Sequence, residues 1–211
     1  MDTTILIASV GRPSLTRTLD SLLAQTHRSW EAIVALNNTE VNPAADYDDP
    51  RITFLNLGKQ PNDYGFSPRL AAFKHAKGDY IATLDDDDWW EPSFLRIMRR
   101  ELIKRDVDLL YCRGALWSRD GETRYGTWLK EFDPVMLLVA GYILTPSVFF
   151  RRELLEDYRH NTIYGYNSDW QFYIDRYNAG FRFESFDREL ANLRVDEGVW
   201  QHWAPGGFRG E

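Results

Sequence analysis

The sequence predicts a single α/β domain, a doubly wound and mostly parallel sheet flanked by helices with a mixed region appended. Two observations carry that expectation. Short apolar runs alternate with amphipathic stretches through the first hundred residues, the rhythm of strand, crossover helix and parallel strand. One such run then passes directly into four consecutive aspartates, Asp85 to Asp88, which marks the carboxyl end of a strand as a place where ligands bind. With 211 residues, 44% of them hydrophobic, the chain suits one core.

The elements follow in order. Residues 4–10 (TILIASV) are apolar and rich in β-branched side chains, and stop at Gly11 and Pro13, as a buried strand does. Residues 13–26 place Leu15, Leu19, Leu22 and Leu23 on one helical face behind Ser14, a natural N-cap. Residues 30–36 (WEAIVAL) and 52–57 (ITFLNL) read as the second and third strands. A loop at 58–67 leads into a helix over 68–77 ended by Gly78, and residues 79–84 (DYIATL) form the strand that meets the aspartates. A helix over 92–105 and a strand beginning at 108–111 follow. Residues 113–132 read as a hairpin turning at Asp120 and Gly121, and further helical stretches fall at 136–139 and 168–177.

Charge and composition narrow the function. Twenty-five basic against 32 acidic residues give a net charge of −7, which argues against nucleic acid or an anionic membrane as a partner. The lone cysteine, Cys112, cannot form an internal disulfide and favours a reducing compartment. The first apolar run spans about five residues without a basic flank, short of a signal peptide. Residues 135–144 reach about half the length that crosses a bilayer. A soluble, cytoplasmic protein without a membrane span is expected, either whole or cut from a longer polypeptide.

Four adjacent carboxylates repel one another and need solvent, hydrogen bonds or a cation. Hard oxygen ligands suit Mg²⁺ or Mn²⁺, which take one or two carboxylates and complete their shell with water and phosphate oxygens. The plainer reading is a solvated acidic turn, with Asp88 or Ser93 capping the helix that follows.

Three blocks of the chain resemble the soluble glycosyltransferases of family 2, inverting enzymes with the GT-A fold. Residues 5–36 (ILIASVGRPSLTRTLDSLLAQTHRSWEAIVAL) are similar to the family's opening strand, loop, helix and second strand. Residues 67–95 (SPRLAAFKHAKGDYIATLDDDDWWEPSFL) resemble its basic helix, strand and DxD motif, and residues 167–180 (NSDWQFYIDRYNAG) resemble the helix start that carries the catalytic base. The resemblance implies a metal, Mn²⁺ or Mg²⁺, on Asp85 and Asp87, with Asp85 and Asp86 also near the donor. It implies Ala8, Ser9, Arg12, Asn37 and Tyr64 around the nucleotide, and Arg69 with Lys74 toward its phosphates. It makes Asp169 the general base. The donor would be a UDP-sugar and the acceptor a carbohydrate or glycoprotein glycan, with a hexosyl or deoxyhexosyl group transferred by a monomer or weak dimer. Residues 1–100 would hold the donor and 101–211 the acceptor. The chain's brevity also resembles a compact glycosyltransferase domain of a large algal DNA virus.

Departures from the family pattern sharpen these expectations. Leu36 and Asn37 stand where two aspartates are usual, and the Asn37 amide can still accept from a uracil N3–H. Ser168 precedes Asp169 where an acid is usual, and Leu70 replaces a common asparagine. Gln201, His202 and Trp203 do not supply the QxxRW motif of processive synthases. Among the eight tryptophans, Trp89, Trp90, Trp170, Trp200 and Trp203 are candidate platforms for pyranose rings, and His202 is a candidate third metal ligand. A sugar nucleotidyltransferase and a non-catalytic carbohydrate- or cation-binding module are the alternatives. The single glycine of SVGRPS, where a nucleotidyltransferase would carry a Gly-rich loop, weighs against the first. Ca²⁺ loops space their acids with Gly and Asn, which weighs against the second.

Overall fold

The computed structural model describes residues 1–61, 63–159 and 168–196. Its first half is a parallel sheet of β1 (Thr3–Ser9), β2 (Trp30–Leu36), β3 (Ile52–Asn56) and β4 (Tyr80–Asp85) in the order β3-β2-β1-β4. β1 and β2 are buried on both faces almost throughout, so their sequences are continuous apolar runs. The path from β1 to β2 through α1 (Leu15–Leu23) and the path from β3 to β4 through α2 (Phe66–Phe73) run in opposite lateral directions. Right-handed crossovers then put the two helices on opposite faces of the sheet. The core agrees: Leu15, Leu19 and Leu22 of α1 join Ile5 and Ile7 in one cluster, while Phe66 and Ala72 of α2 join Leu6 and Ile33 in the other. The reversal leaves a crevice beyond the carboxyl ends of β1 and β4.

The second half extends the same sheet with mixed polarity. β5 (Trp89–Trp90) and α3 (Phe94–Arg105) precede β6 (Leu109–Trp117), which forms a hairpin with β7 (Arg124–Trp128) around Asp120 and Gly121. After α4 (Pro134–Val139), the short β8 (Val148–Arg151) inserts antiparallel between β4 and β6. α5 (Ser168–Asn178) then leads to β9 (Phe183–Arg194), parallel to β6 and antiparallel to β5. No helix among the described residues is long and apolar enough to cross a membrane.

Several expectations about local structure are corrected. Ser14 stands before α1 in helical dihedrals and its side chain caps nothing; its carbonyl instead accepts from Thr18 N. α2 begins at Phe66 and has ended by Lys74, because Gly65 turns the chain with φ 84° and Pro68 is accommodated in the first helical turn. Neither Ser93 nor Asp88 caps α3: Ser93 makes no side-chain cap bond, and Asp88 Oδ1 accepts from the backbone N–H of Arg194 at 2.8 Å. That bond ties the aspartate turn to the end of β9, and Thr18 Oγ1 donates to the Asp88 carbonyl at 2.8 Å to hold its other side.

Burial, reinforced by the charges of Asp85 and Asp87, lifts the Asp88 carboxyl well above the usual carboxylate range, against the pull of the Arg194 contacts. A pKa higher in the folded than in the unfolded state gives stability that is complete below the unfolded value and lost as pH rises through the folded one. Asp88→Asn keeps an oxygen to accept from Arg194 and removes that loss. In EDTA the variant should melt about 2–4 °C or more above the parent at pH 7, with the gap closing toward pH 4. A variant less stable at pH 7 would mean that Asp88 is a well-compensated anion.

Candidate active site

A cavity of about 570 Å³ opens at the crevice between the ends of β1 and β4. Ala8, Ser9, Arg12, Asn37, Tyr64, Arg69, Asp85, Asp86, Asp87 and Asp169 all line it. Residues from both halves of the chain thus meet at one place, on the elements that the parallel topology aims there.

Asp86 organises the loop after β1. Its carboxylate, 1% exposed as a residue, accepts from Ser9 Oγ at 2.7 Å, Val10 N at 3.3 Å and Arg12 Nη1 at 2.6 Å. Ser9 Oγ also accepts from Gly11 N at 3.0 Å. The loop closes on Asp86 only because position 11 is glycine: its φ is 82°, and a Cβ would lie 2.7 Å from the Val41 carbonyl. Asp86 is therefore an internal anchor that takes three donors from the end of β1 and the loop after it.

Asp85 is held from the opposite side by Arg69. Arg69 is buried on α2, forms an ion pair with Asp85 through Nη2, and donates to the Tyr64 carbonyl through Nη1 at 3.2 Å. Gly65 allows this approach, since a Cβ there would lie 2.7 Å from the Ala8 Cβ. Burial is the largest influence on the Asp85 carboxyl and raises its pKa; Arg69 opposes it, while Asp86 and Asp169 add to it. Asp87 is likewise raised, by burial first and then by Asp85, with Arg12 opposing. Its side chain keeps 32% of its surface exposed, and its nearest counter-charge is Arg12 at 3.6 Å.

Asn37 contributes an amide to the cavity wall. Its backbone N–H donates to the Ser9 carbonyl at 2.8 Å, fixing the end of β2 against β1. Its Oδ1 is buried and has no hydrogen-bond partner, a costly state for an amide oxygen unless a ligand supplies the donor.

Asp169 enters from α5. Oδ2 accepts from Thr145 Oγ1 at 2.8 Å and Oδ1 from Trp170 N at 2.8 Å. The Thr145 carbonyl in turn accepts from Thr83 Oγ1 of β4 at 2.7 Å, so Asp169 is registered to the strand that carries the aspartates. The buried Tyr173 also lines the cavity; burial and the charge of Asp169 push its hydroxyl well above its usual range.

Some candidates lie elsewhere. Lys74 is exposed at the far end of α2, away from the cavity. Trp90 belongs to the core: it stacks on Phe94 at 4.0 Å and donates through Nε1 to the Pro146 carbonyl at 2.7 Å. Trp89 lies beneath the Arg17 guanidinium, 3.5 Å from its ring centroid, and tilts against Trp117. Trp170 donates to the Leu137 carbonyl at 2.5 Å and joins α5 to α4. Trp200, His202 and Trp203 lie outside the described residues. Sequence reasoning missed Asp63, which receives Ser67 N at 3.0 Å and steadies the start of α2, and Thr145. An aspartate shortly before a helix is a recognisable signal; a threonine in a connecting turn carries none.

The residues present fit a divalent cation. No group of three His, Cys, Asp or Glu side chains poised to hold one occurs among the described residues. Asp85 and Asp87, however, are hard oxygen donors on the cavity wall whose mutual repulsion is incompletely answered, and Mg²⁺ or Mn²⁺ needs only one or two protein carboxylates beside phosphate oxygens.

Comparison with known proteins agrees with this architecture. The chain is 29% identical over 185 residues to the uncharacterized glycosyltransferase YwdF of Bacillus subtilis, covering 82% of this chain and 67% of that protein. It is 28% identical over 104 residues to the UDP-Glc:alpha-D-GlcNAc-diphosphoundecaprenol beta-1,3-glucosyltransferase WfgD of Escherichia coli, covering 46% and 39%. Among solved structures, residues 1–349 of S. aureus TarS in complex with UDP superpose with a TM-score of 0.70 at 17% identity, over 92% of this chain and 61% of that one. The mannosyltransferase PcManGT from Pyrobaculum calidifontis, in complex with GDP-Man and Mn²⁺, gives 0.68 at 16%, over 95% and 59%. These structural likenesses establish the shared GT-A type fold. The chain thus spans between about two fifths and two thirds of the length of these proteins. The family model described as Glycosyl transferase family 2 matches residues 4–189, and the chain belongs to that family.

Proposed function

We propose that this chain transfers a sugar from a UDP-sugar to a carbohydrate hydroxyl in a single displacement that inverts the anomeric carbon. The observation that carries the proposal is the convergence, in one cavity, of an unpartnered buried amide oxygen, a set of acidic and basic groups, and a separately supported carboxylate. The names of similar proteins favour a nucleotide-sugar: TarS structures are described with UDP and with UDP-GlcNAc, and PcManGT with GDP-Man and Mn²⁺. Since both uridine and guanosine nucleotides occur among them, the preference in this chain rests on Asn37. The amide oxygen takes the uracil N3–H, and the Asn37 NH₂ donates to a ring carbonyl.

A divalent cation, when bound, would be held by Asp85 and Asp87 and would neutralise charge on the diphosphate leaving group. The chain supplies the rest. Arg69, fixed against Asp85, and Arg12, on the cavity rim, hold positive charge beside the donor. Among the described residues Asp169 receives one hydrogen bond on each oxygen, from Thr145 Oγ1 and Trp170 N, and a carboxylate oxygen has a second acceptor direction. There it takes the proton of the acceptor hydroxyl as that oxygen bonds to the anomeric carbon. The bond from that carbon to the diphosphate oxygen breaks, and its electron pair leaves with UDP. Residues 1–100 hold the donor and 101–211 the acceptor in this reading. The buried free thiol of Cys112 supports a reducing, cytoplasmic setting.

Two substitutions separate recognition from chemistry. Asn37→Leu leaves the uracil donor unpaired, and calorimetry should record a loss of about 1–3 kcal/mol in UDP binding; a parent protein that binds UDP, GDP and ADP equally would contradict this base pocket. Asp169→Asn keeps an oxygen for Trp170 N, and its NH₂ can donate to Thr145 Oγ1, which accepts as well as donates. It should bind UDP-sugar like the parent while single-turnover transfer falls ~10²–10⁴-fold. Transfer at the parent rate would remove Asp169 from the reaction and direct attention to other carboxylates of the second half, such as Asp196.

A further inference from the structure

The cation reading places Asp87 on the metal, yet Asp87 already faces a positive charge from within the protein. Arg12 Nη1 lies 2.6 Å from Asp86 Oδ1 and 3.6 Å from Asp87 Oδ2. The two carboxylates it bridges differ. Asp86 is enclosed and has two further donors, Ser9 Oγ and Val10 N; Asp87 is one-third exposed and has this ion-pair contact but no side-chain hydrogen bond from any described residue. The Arg12 side chain is itself 54% exposed and lines the cavity. A guanidinium has five donor hydrogens in a planar fork, and a single nitrogen of Arg12 makes the contacts to the aspartates. The remainder of the fork is available to an anion in the cavity.

We propose that Arg12 is an exchangeable counter-ion for Asp87, taking the cation's electrostatic place before the donor binds and moving toward the diphosphate when it does. This rests on the reading of Asp85 and Asp87 as metal ligands. The strong bond to Asp86 is the pivot, so the guanidinium turns without leaving the loop that Asp86 anchors. The consequence is coupling between two ligands. Before the nucleotide arrives, Arg12 opposes the metal at Asp87; afterwards the diphosphate draws the guanidinium away and the same carboxylate is free. Metal and nucleotide then favour each other by equal factors, and part of that factor belongs to Arg12.

Other positive charges near Asp87 provide the control. Arg119 is exposed and pairs with Asp196, while still acting on Asp87 through space. Removing it lowers the local positive potential without releasing a contact to the carboxylate.

The test titrates Mn²⁺ alone into the nucleotide-free protein, followed by electron paramagnetic resonance, and repeats it with saturating UDP. Arg12→Gln should bind Mn²⁺ roughly 3–10-fold more tightly without nucleotide, and the enhancement by UDP should shrink by a similar factor. Arg119→Gln should change nucleotide-free binding by less than twofold or so. Unchanged or weaker Mn²⁺ binding by folded Arg12→Gln, or an equal gain in Arg119→Gln, would overturn the proposal. Absence of Mn²⁺ binding by the parent, with and without UDP, would instead overturn the metal reading beneath it.

Discussion

Asp85 to Asp88 are four adjacent carboxylates at the carboxyl end of β4, and the local structure is arranged around answering each of them differently. Asp86 is buried and enclosed by Ser9, Val10 and Arg12. Asp85 is faced by the buried Arg69. Asp88 takes a backbone N–H from Arg194, which draws the last strand of the sheet to the site. Asp87 has only the long Arg12 contact and faces the cavity. Burying unpaired charge costs several kcal/mol, so these contacts are conditions of folding as well as of binding. The loop after β1, the start of α2 and the end of β9 are all positioned by a carboxylate they answer.

The two-part construction of the cavity follows from the topology. The loop after β1, the end of β2 and the start of α2 converge where the direction of the crossovers reverses, and this convergence requires only the first four strands. Asp169 comes from α5, more than eighty residues beyond that region. It is registered by a short chain of bonds, Thr83 to Thr145 to Asp169, and β8 beside β4 holds Thr145 in place. A carboxylate tied to the same strand as the aspartates keeps its position relative to them even though its helix belongs to the other half.

Much of this was legible in the residues, and the limit has a physical cause. β1, β2 and β4 are enclosed on both faces, so burial alone wrote them as apolar runs, and the aspartates at the end of β4 identified the ligand edge. β9 was not legible. Its pairing with β6 shifts register at Cys112, Arg113 and Gly114, and Asp187 and Arg188 fall in the irregular stretch, so no strict alternation survives. β5 has two residues, too few for any period. At the site, the aspartate run was marked by its own chemistry, and the other side chains that meet in the cavity by the resemblance to family 2 glycosyltransferases. Thr145 and the Arg194 N–H were not, because one acts through a turn defined only by tertiary packing and the other through the backbone, which every residue possesses.

In the proposed function, Asp85 and Asp87 form a cation-dependent diphosphate site. Its most direct test is a calorimetric titration of UDP into the parent protein and Asp87→Ala, each in Mn²⁺ and in EDTA. The account predicts that the parent loses about tenfold or more of its UDP affinity in EDTA, and that Asp87→Ala binds weakly in both conditions. Parent and variant binding UDP equally well with and without the cation would contradict it.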